Sequence, residues 1–451
     1  MPFVAYGIVV MPMIPAGPYR TLTTVEGHAF PYYIVPFDAE GRCEGPMTQQ
    51  HLLDHCGEHS DIFLFSHGWN NDWSVATKRY EHFIGGFQDQ RRQLGLPMAA
   101  GYRPLLVGIF WPSQAMEWFE NETGPGFAAG DPAAQDAATE SSRRLLGDIG
   151  SGLPPDRRAR FFELAQAEVL NEAQARELAA LLAGATAADD EAGPAAAPSA
   201  DDLLAAAAAF AQPEPDYEAV GRVGAPAGGP QAAFGLGDML KALDPRQLLK
   251  PFTVWQMKDR AGRVGTHGVS ALLAGLLTRS SARIHLLGHS YGCKVVMSAL
   301  CSLPGGLRKV HSALLLQPAI SQYAFAAEVP QRPGVRGGFA DGLARVATPV
   351  VATFSANDAA LTKLFHLALR RESDLGEQPL IAGPPSQYAA LGGFGPQASG
   401  ETIVDVLDPQ QAYSFGPAGR IVGVRATRAL SSHGDISNPS CWWLAYSVAS
   451  A

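Results

Sequence analysis

The chain has 451 residues, 47% of them hydrophobic, and this length allows one to three domains with a large buried core. Its 34 Lys and Arg against 43 Asp and Glu give a net charge of −9, which argues against nucleic-acid binding because that function needs a basic surface. No apolar run reaches the length of a membrane span, and the amino terminus lacks the positive charge of a secretory signal. Five irregularly spaced cysteines indicate free thiols, so we expect a cytoplasmic protein.

Strand-like and helical segments alternate through the first 112 residues. Val4–Val10 and Tyr32–Phe37 predict two strands that suit an antiparallel sheet edge. The next predicted elements are a short helix at 47–59, a buried strand at 61–66, a helix at 75–93 and a buried strand at 104–110.

The stretch 113–250 interrupts this alternation. It combines helical patterns near Arg157–Leu182 with an Ala/Pro/Gly-rich tract at Ala183–Gly229, inside which the run Ala205–Ala209 favours helix. We expect a helical lid with a mobile loop, inserted after the fourth strand. The alternative is a disordered insertion without a role.

Alternation returns after residue 250. The predicted elements are a helix at 252–278, a strand at 283–287, a helix at 293–300, strands at 349–354 and 420–424, and a closing helix at 441–449. We therefore expect one α/β core made of 1–112 and 251–451, with 113–250 as a separate helical insertion.

A Gly-x-Ser-x-Gly motif, Gly288-His289-Ser290-Tyr291-Gly292, joins the strand at 283–287 to the helix that follows. Glycines two positions either side of a serine permit the tight strand-to-helix turn that presents its hydroxyl to a base. The pattern predicts a nucleophile elbow with Ser290 as the nucleophile.

Acid and base candidates follow later strands. Asp358 comes after the strand at 349–354 and His433 after the strand at 420–424, in the order serine, acid, histidine. Asp358 could also be a helix N-cap. Asp435 is an alternative acid, but its separation of two residues from His433 is awkward. His311 and His366 do not follow the last strand, so they are weaker candidates for the base.

Donors for an oxyanion are predicted at two loops. His67-Gly68-Trp69-Asn70 directly follows the strand at 61–66, a position from which a backbone N–H often reaches the oxyanion. The second donor usually belongs to the residue after the nucleophile. The backbone amides of Trp69 and Tyr291 are therefore the candidates, although His67-Gly68 could be a plain turn.

These motifs together resemble the α/β-hydrolase superfamily, and within it the serine esterases and lipases that carry a His-Gly-x motif before the elbow. The resemblance covers about residues 55–120 and 251–445. It implies an α/β-hydrolase fold: a mostly parallel, eight-stranded sheet flanked by helices. Ser290, His433 and Asp358 would be nucleophile, base and acid, and the amides of Trp69 and Tyr291 would form the oxyanion hole.

The substrate predicted from this machinery is a small-molecule carboxylic ester, cleaved without a cofactor. Thioester or amide cleavage and acyl transfer use the same groups, and a catalytically silent binding module is the alternative from another class. A membrane surface would be a partner only for a lipase-like enzyme. The cluster of His51, His55, Cys56 and His59 favours a polar helix face over a metal site, so no metal is expected.

Overall fold

The structure is a computed structural model that describes residues 14–69, 71–113, 146–185, 199–210, 243–330, 332–364 and 389–451. The chain forms two compact units. The first contains residues 1–113, 260–359 and 390–451, and the second contains 114–259 and 360–389. The sequence predicts the second boundary at 250, whereas the units divide after 259, and residues 360–389 join the second unit.

A single nine-stranded sheet organises the first unit. Its strands are β1 (Arg20–Thr23), β2 (Ala29–Pro36), β3 (Asp61–Ser66), β4 (Pro104–Phe110), β5 (Arg283–His289), β6 (Ser312–Leu316), β7 (Val350–Phe354), β8 (Thr402–Asp405) and β9 (Ile421–Arg425). Their spatial order is β1-β2-β4-β3-β5-β6-β7-β9-β8, and every neighbouring pair is parallel except β1 with β2. The predicted α/β class is therefore confirmed.

Both edges of the sheet differ from the expectation. The described residues contain nine strands where the resemblance implies eight, because Thr402–Asp405 pairs with β9. This edge strand is largely exposed and carries no buried apolar run, so the pattern gave no signal for it. At the other edge, Arg20–Thr23 is the antiparallel partner of β2. The predicted strand Val4–Val10 lies outside the described residues.

The described helices are α1 (Pro46–His55), α2 (Trp73–Leu94), α3 (Pro155–Ala165), α4 (Glu172–Ala183), α5 (Ala200–Phe210), α6 (Arg246–Arg263), α7 (Ser270–Arg279), α8 (Tyr291–Cys301), α9 (Leu391–Phe394) and α10 (Pro439–Ala449). A π-helical turn, Val264–Val269, joins α6 to α7 and packs on α8. The side chain of Asp72 caps α2 by accepting a hydrogen bond from Val75 N–H. Helix α2 ends at Gly95, which adopts a left-handed conformation (φ 63°).

One face of the sheet packs against α2 and α10. Phe63 and Phe65 of β3 join Phe83 of α2 and Leu444 of α10 in one buried apolar cluster. Successive side chains of a strand point to opposite faces, so the residues between them face the other side of the sheet. Central strands buried on both faces explain the continuous apolar runs in the sequence.

The second unit is helical in its described residues and has an apolar core of its own. Phe161, Leu178, Leu203 and Phe252 are fully buried in that core. Asn171 begins α4 with a capping box. The described residues of the predicted insertion include the helices α3, α4 and α5. Across the same described residues, no helix combines the length and apolar character needed to cross a membrane.

Candidate active site

Ser290 lies in a sharp turn between β5 and α8. Its backbone has φ 56° and ψ −126°, a conformation that costs about 1–3 kcal/mol for a residue other than glycine. A Cβ atom on Gly288 would lie 2.6 Å from Cys293 Cα, and one on Gly292 would overlap the carbonyl oxygen of Ser66. The two motif glycines are therefore required by close backbone approach, and the predicted strand-turn-helix geometry is present.

Neighbouring backbone groups hold this turn in place. Ser290 N–H donates to Leu316 O (3.1 Å), and Ser290 O accepts from Cys293 N–H (3.1 Å) and Ala319 N–H (3.2 Å). These bonds tie the elbow to the carboxyl end of β6 and to the first turn of α8. Such support is what keeps a strained residue in its conformation.

The loop after β3 lies directly against Ser290. A Cβ atom on Gly68 would fall 2.5 Å from Ser290 Cβ and 3.2 Å from His289 Nδ1, so only glycine fits there. The Asn71 side-chain amide donates to Gly68 O (3.0 Å) and to Trp69 O (2.7 Å). Because a trans peptide places N–H opposite C=O, the Trp69 amide points away from Asn71. Asn71 therefore holds the peptide unit that carries the predicted donor, the Trp69 amide.

His67 supports that loop from inside the protein. Its Nδ1 donates to Gly68 O (2.9 Å), and its Nε2 accepts a hydrogen bond from Trp111 N–H (3.3 Å). Trp111 also donates its indole N–H to His67 O (3.1 Å), and the two rings stack. Burial lowers the pKa of His67 to about 3, so the ring stays neutral. His67 is a structural residue of the loop.

The second predicted donor, the amide of Tyr291, belongs to the first residue of α8. Backbone N–H groups in a first helical turn have no acceptor within the helix, and the helix dipole adds positive potential there. The side chain of Tyr291 is buried and meets the Trp69 ring edge to face, with ring centroids 6.4 Å apart. Two aromatic rings therefore adjoin the two predicted oxyanion donors.

Asp358 and His433 meet after β7 and β9. Their Oδ2 and Nδ1 atoms are 2.7 Å apart, with the carboxylate side chain fully buried and the imidazole 27% exposed. A bond at Nδ1 leaves Nε2 of neutral His433 with its lone pair, the form a general base needs. The structure thus joins the predicted acid to the predicted base.

Asp435, the alternative acid, serves its own loop instead. Its carboxylate accepts hydrogen bonds from Ser431 N–H (3.0 Å) and Ser431 Oγ (2.8 Å). Burial opposes ionisation, but these bonds and one from Asn438 outweigh it and lower the pKa of Asp435. The other histidines are also placed elsewhere: His311 precedes β6, where burial lowers its pKa to about 4, and His366 lies outside the described residues.

Ser290 is joined to His433 through its neighbour His289. The Nε2–H of His289 donates to His433 O (2.8 Å), and its Nδ1 accepts from Arg79 Nη1 (3.0 Å). Burial lowers the pKa of His289 well below its usual value, so the ring is neutral. Among the described residues the Ser290 hydroxyl makes no hydrogen bond to His433. Catalytic bonds of this kind often form only when substrate is bound.

Gln317 was not anticipated from the sequence. It follows β6 with φ 43°, is fully buried, and donates its side-chain amide to Asp358 Oδ2 (2.8 Å) and to Ser432 O (3.1 Å). Together with His289, it holds two consecutive carbonyl groups of the loop that carries His433. One sequence feature could have indicated Gln317: it directly follows β6, the neighbour of β5, and parallel strands end at the same edge of a sheet.

The histidines of α1 are used in local contacts. His55 Nδ1 donates to His51 O (2.8 Å), and the two rings stack with centroids 4.1 Å apart. Cys56 Sγ bonds to Leu53 O (3.3 Å). Within the described ranges, no group of three or more His, Cys, Asp or Glu residues is arranged to hold a metal ion.

Comparison with protein-family models, with curated proteins and with solved structures yields no significant match to this chain. The functional interpretation therefore depends on the geometry of the site itself.

Proposed function

We propose that this protein is a serine hydrolase that cleaves carboxylic esters through an acyl-enzyme. The observation that carries the proposal is the 2.7 Å bond between His433 Nδ1 and the buried Asp358 carboxylate, formed beside a strained elbow serine. A buried carboxylate fixes the imidazole tautomer and stabilises the imidazolium that forms when a hydroxyl gives up its proton.

Each residue would have one role in the reaction. As substrate enters, His433 Nε2 takes the proton from Ser290 Oγ, and the oxygen attacks the acyl carbonyl. The amides of Trp69 and Tyr291 would stabilise the resulting oxyanion. His433 then passes its proton to the leaving alkoxide, giving an alcohol and an acyl-serine ester. Water, activated by the same histidine, releases the carboxylic acid and restores Ser290.

We also propose that the fold belongs to the α/β-hydrolase type and that the helical insertion is a lid. The strand-elbow-helix unit, the order serine, acid, histidine and the parallel central strands support the first point. The insertion begins directly after β4, at the carboxyl end of a parallel strand, which is where loops of α/β enzymes approach substrate.

Labelling by a fluorophosphonate tests this function. The probe phosphonylates only an activated serine, so we expect one adduct on Ser290 in the wild type and none in Ser290→Ala. Ser302→Ala, a change at the exposed end of the same helix, should label like the wild type. Hydrolysis of p-nitrophenyl esters of increasing acyl length would then define the preferred chain. A well-folded wild type that is not labelled would indicate a silent binding module.

A further inference from the structure

Arg79 is a charged side chain without a carboxylate partner among the described residues. Several other charged residues of α2 form ion pairs: Glu81 with Arg20, Asp89 with Arg92, and Arg91 with Glu26, while Lys78 is exposed to solvent. Arg79 is only partly exposed, and it donates a hydrogen bond to the neutral ring of His289 (3.0 Å). Within the part of the chain that the structure describes, the guanidinium therefore has no counter-charge.

An uncompensated guanidinium that has lost most of its hydration is costly. Burial lowers the pKa of Arg79, which is the direction expected for a cation placed in a poorly solvated position. Buried charges in proteins are ordinarily paired, and replacing an unpaired one by an uncharged residue usually stabilises the fold. Retaining this charge suggests a role in binding.

The location of Arg79 indicates what it would bind. Its Nη1 lies 3.0 Å from His289 Nδ1, and His289 precedes Ser290. A Cβ atom on Gly68 would touch that same His289 nitrogen (3.2 Å) and Ser290 Cβ (2.5 Å). The guanidinium is thus separated from the nucleophile by a short series of contacts. A group bound to Arg79 would lie close to an ester held at Ser290.

We propose that Arg79 binds a carboxylate carried by the substrate, so that the preferred substrate is an ester with a second, negatively charged group. This inference rests on the proposed ester hydrolysis. The planar guanidinium presents several N–H donors that match a carboxylate. The whole chain carries a net charge of −9, so its overall field does not attract anions and a local cation is needed.

Steady-state kinetics on two matched pairs of esters test the proposal. 4-Acetoxybenzoate carries a carboxylate on the alcohol side of the ester, and phenyl acetate is its neutral counterpart. Monoethyl adipate carries a carboxylate on the acyl side, and ethyl hexanoate is its neutral counterpart. We expect Arg79→Gln to lower kcat/KM for the anionic member of one pair by about 10- to 100-fold. Its neutral partner should change by less than about threefold, and Arg79→Lys should retain part of the preference.

The alternative is that Arg79 only orients His289. In that case Arg79→Gln would lower kcat/KM equally for the charged and neutral esters of both pairs, and the proposal would be overturned. Arg92→Gln, a change of the same charge on an exposed part of the same helix, is the matched control and should alter neither ester. Thermal unfolding checks the fold: Arg79→Gln should melt no lower than the wild type, since it removes a poorly solvated charge that has no carboxylate partner among the described residues.

Equilibrium binding separates this inference from the proposed function. Calorimetry would measure the dissociation constants of 4-acetoxybenzoate and monoethyl adipate for Ser290→Ala and for the double variant with Arg79→Gln. Binding of either ester that weakens by about 10-fold or more in the double variant supports an anion site, even if fluorophosphonate labelling excludes hydrolysis. If Ser290→Ala and the double variant bind each ester with the same affinity, the anion site is refuted, even in an active esterase.

Discussion

Replacing Gln317 by methionine tests whether the loop that carries His433 must be held for catalysis. Methionine keeps the length of the side chain but removes two donated bonds, one to the Asp358 carboxylate and one to Ser432 O. A bond to a charged group is worth about 1.5–3 kcal/mol and a neutral one about 1 kcal/mol. The same change removes the buried Oε1 of Gln317, which has no hydrogen-bond partner among the described residues, and this offsets about 1–3 kcal/mol.

The two effects separate stability from activity. Because the loss and the gain nearly cancel, we expect the free energy of unfolding to fall by only about 1–2 kcal/mol. The acid and base would lose their orientation, so kcat for an ester should fall about 10- to 100-fold with little change in KM. Denaturant unfolding and steady-state kinetics on the same preparation measure both quantities.

Gln410→Met is the matched control. Gln410 is also a glutamine with positive φ (74°), but it is exposed and lies outside the site. Gln410→Met should therefore leave kcat unchanged. If Gln317→Met retains wild-type kcat, or if its activity falls only in proportion to the fraction unfolded, Gln317 does not orient the acid and base.

Three further predictions concern the elbow, the acid and the buried histidines. Gly292→Ala should destabilise the fold by more than about 3 kcal/mol in chemical denaturation, because its Cβ would overlap Ser66 O. Gly305→Ala, with open space around it, is the control and should not destabilise the fold; equal stability of the two variants would contradict the packing. Asp358→Asn should lower kcat about 10³- to 10⁴-fold with the fold intact, and a loss under tenfold would exclude its role as the acid. The free energy of unfolding should fall as pH drops below 6.5, by up to about 1.4 kcal/mol per pH unit for each buried neutral histidine. The reason is that the unfolded chain takes up protons that the folded chain excludes, and a stability that does not change from pH 6.5 to 5 would contradict this. These histidines are His67, His285 and His289.

The parts of the fold that could be predicted from sequence are those with a local physical signal. Buried parallel strands appear as apolar runs, which placed β3, β5 and β7 correctly, and the glycine spacing around Ser290 indicated the elbow. The exposed edge strand Thr402–Asp405 has no such run, and only its pairing with β9 makes it a strand.

The polar contacts around the site could not be predicted in the same way. Gln317 and Arg79 are far from Ser290 and His433 in the chain, and their contacts depend on the order in which the strands are arranged. His289 occupies the variable position of the motif, so the pattern assigned it no role. Local patterns can indicate which residues react, whereas the groups that orient them are determined by tertiary packing.

Trapping of the acyl-enzyme would show whether Ser290 is the nucleophile. Stopped-flow mixing with p-nitrophenyl acetate would be followed by acid quench and mass analysis of the peptide that contains Ser290. We expect a burst of p-nitrophenol close to one equivalent per active site and an acetyl group on Ser290, with neither in Ser290→Ala. A burst with the acetyl group on another residue, or turnover that persists in Ser290→Ala, would contradict the assignment of Ser290 as the nucleophile.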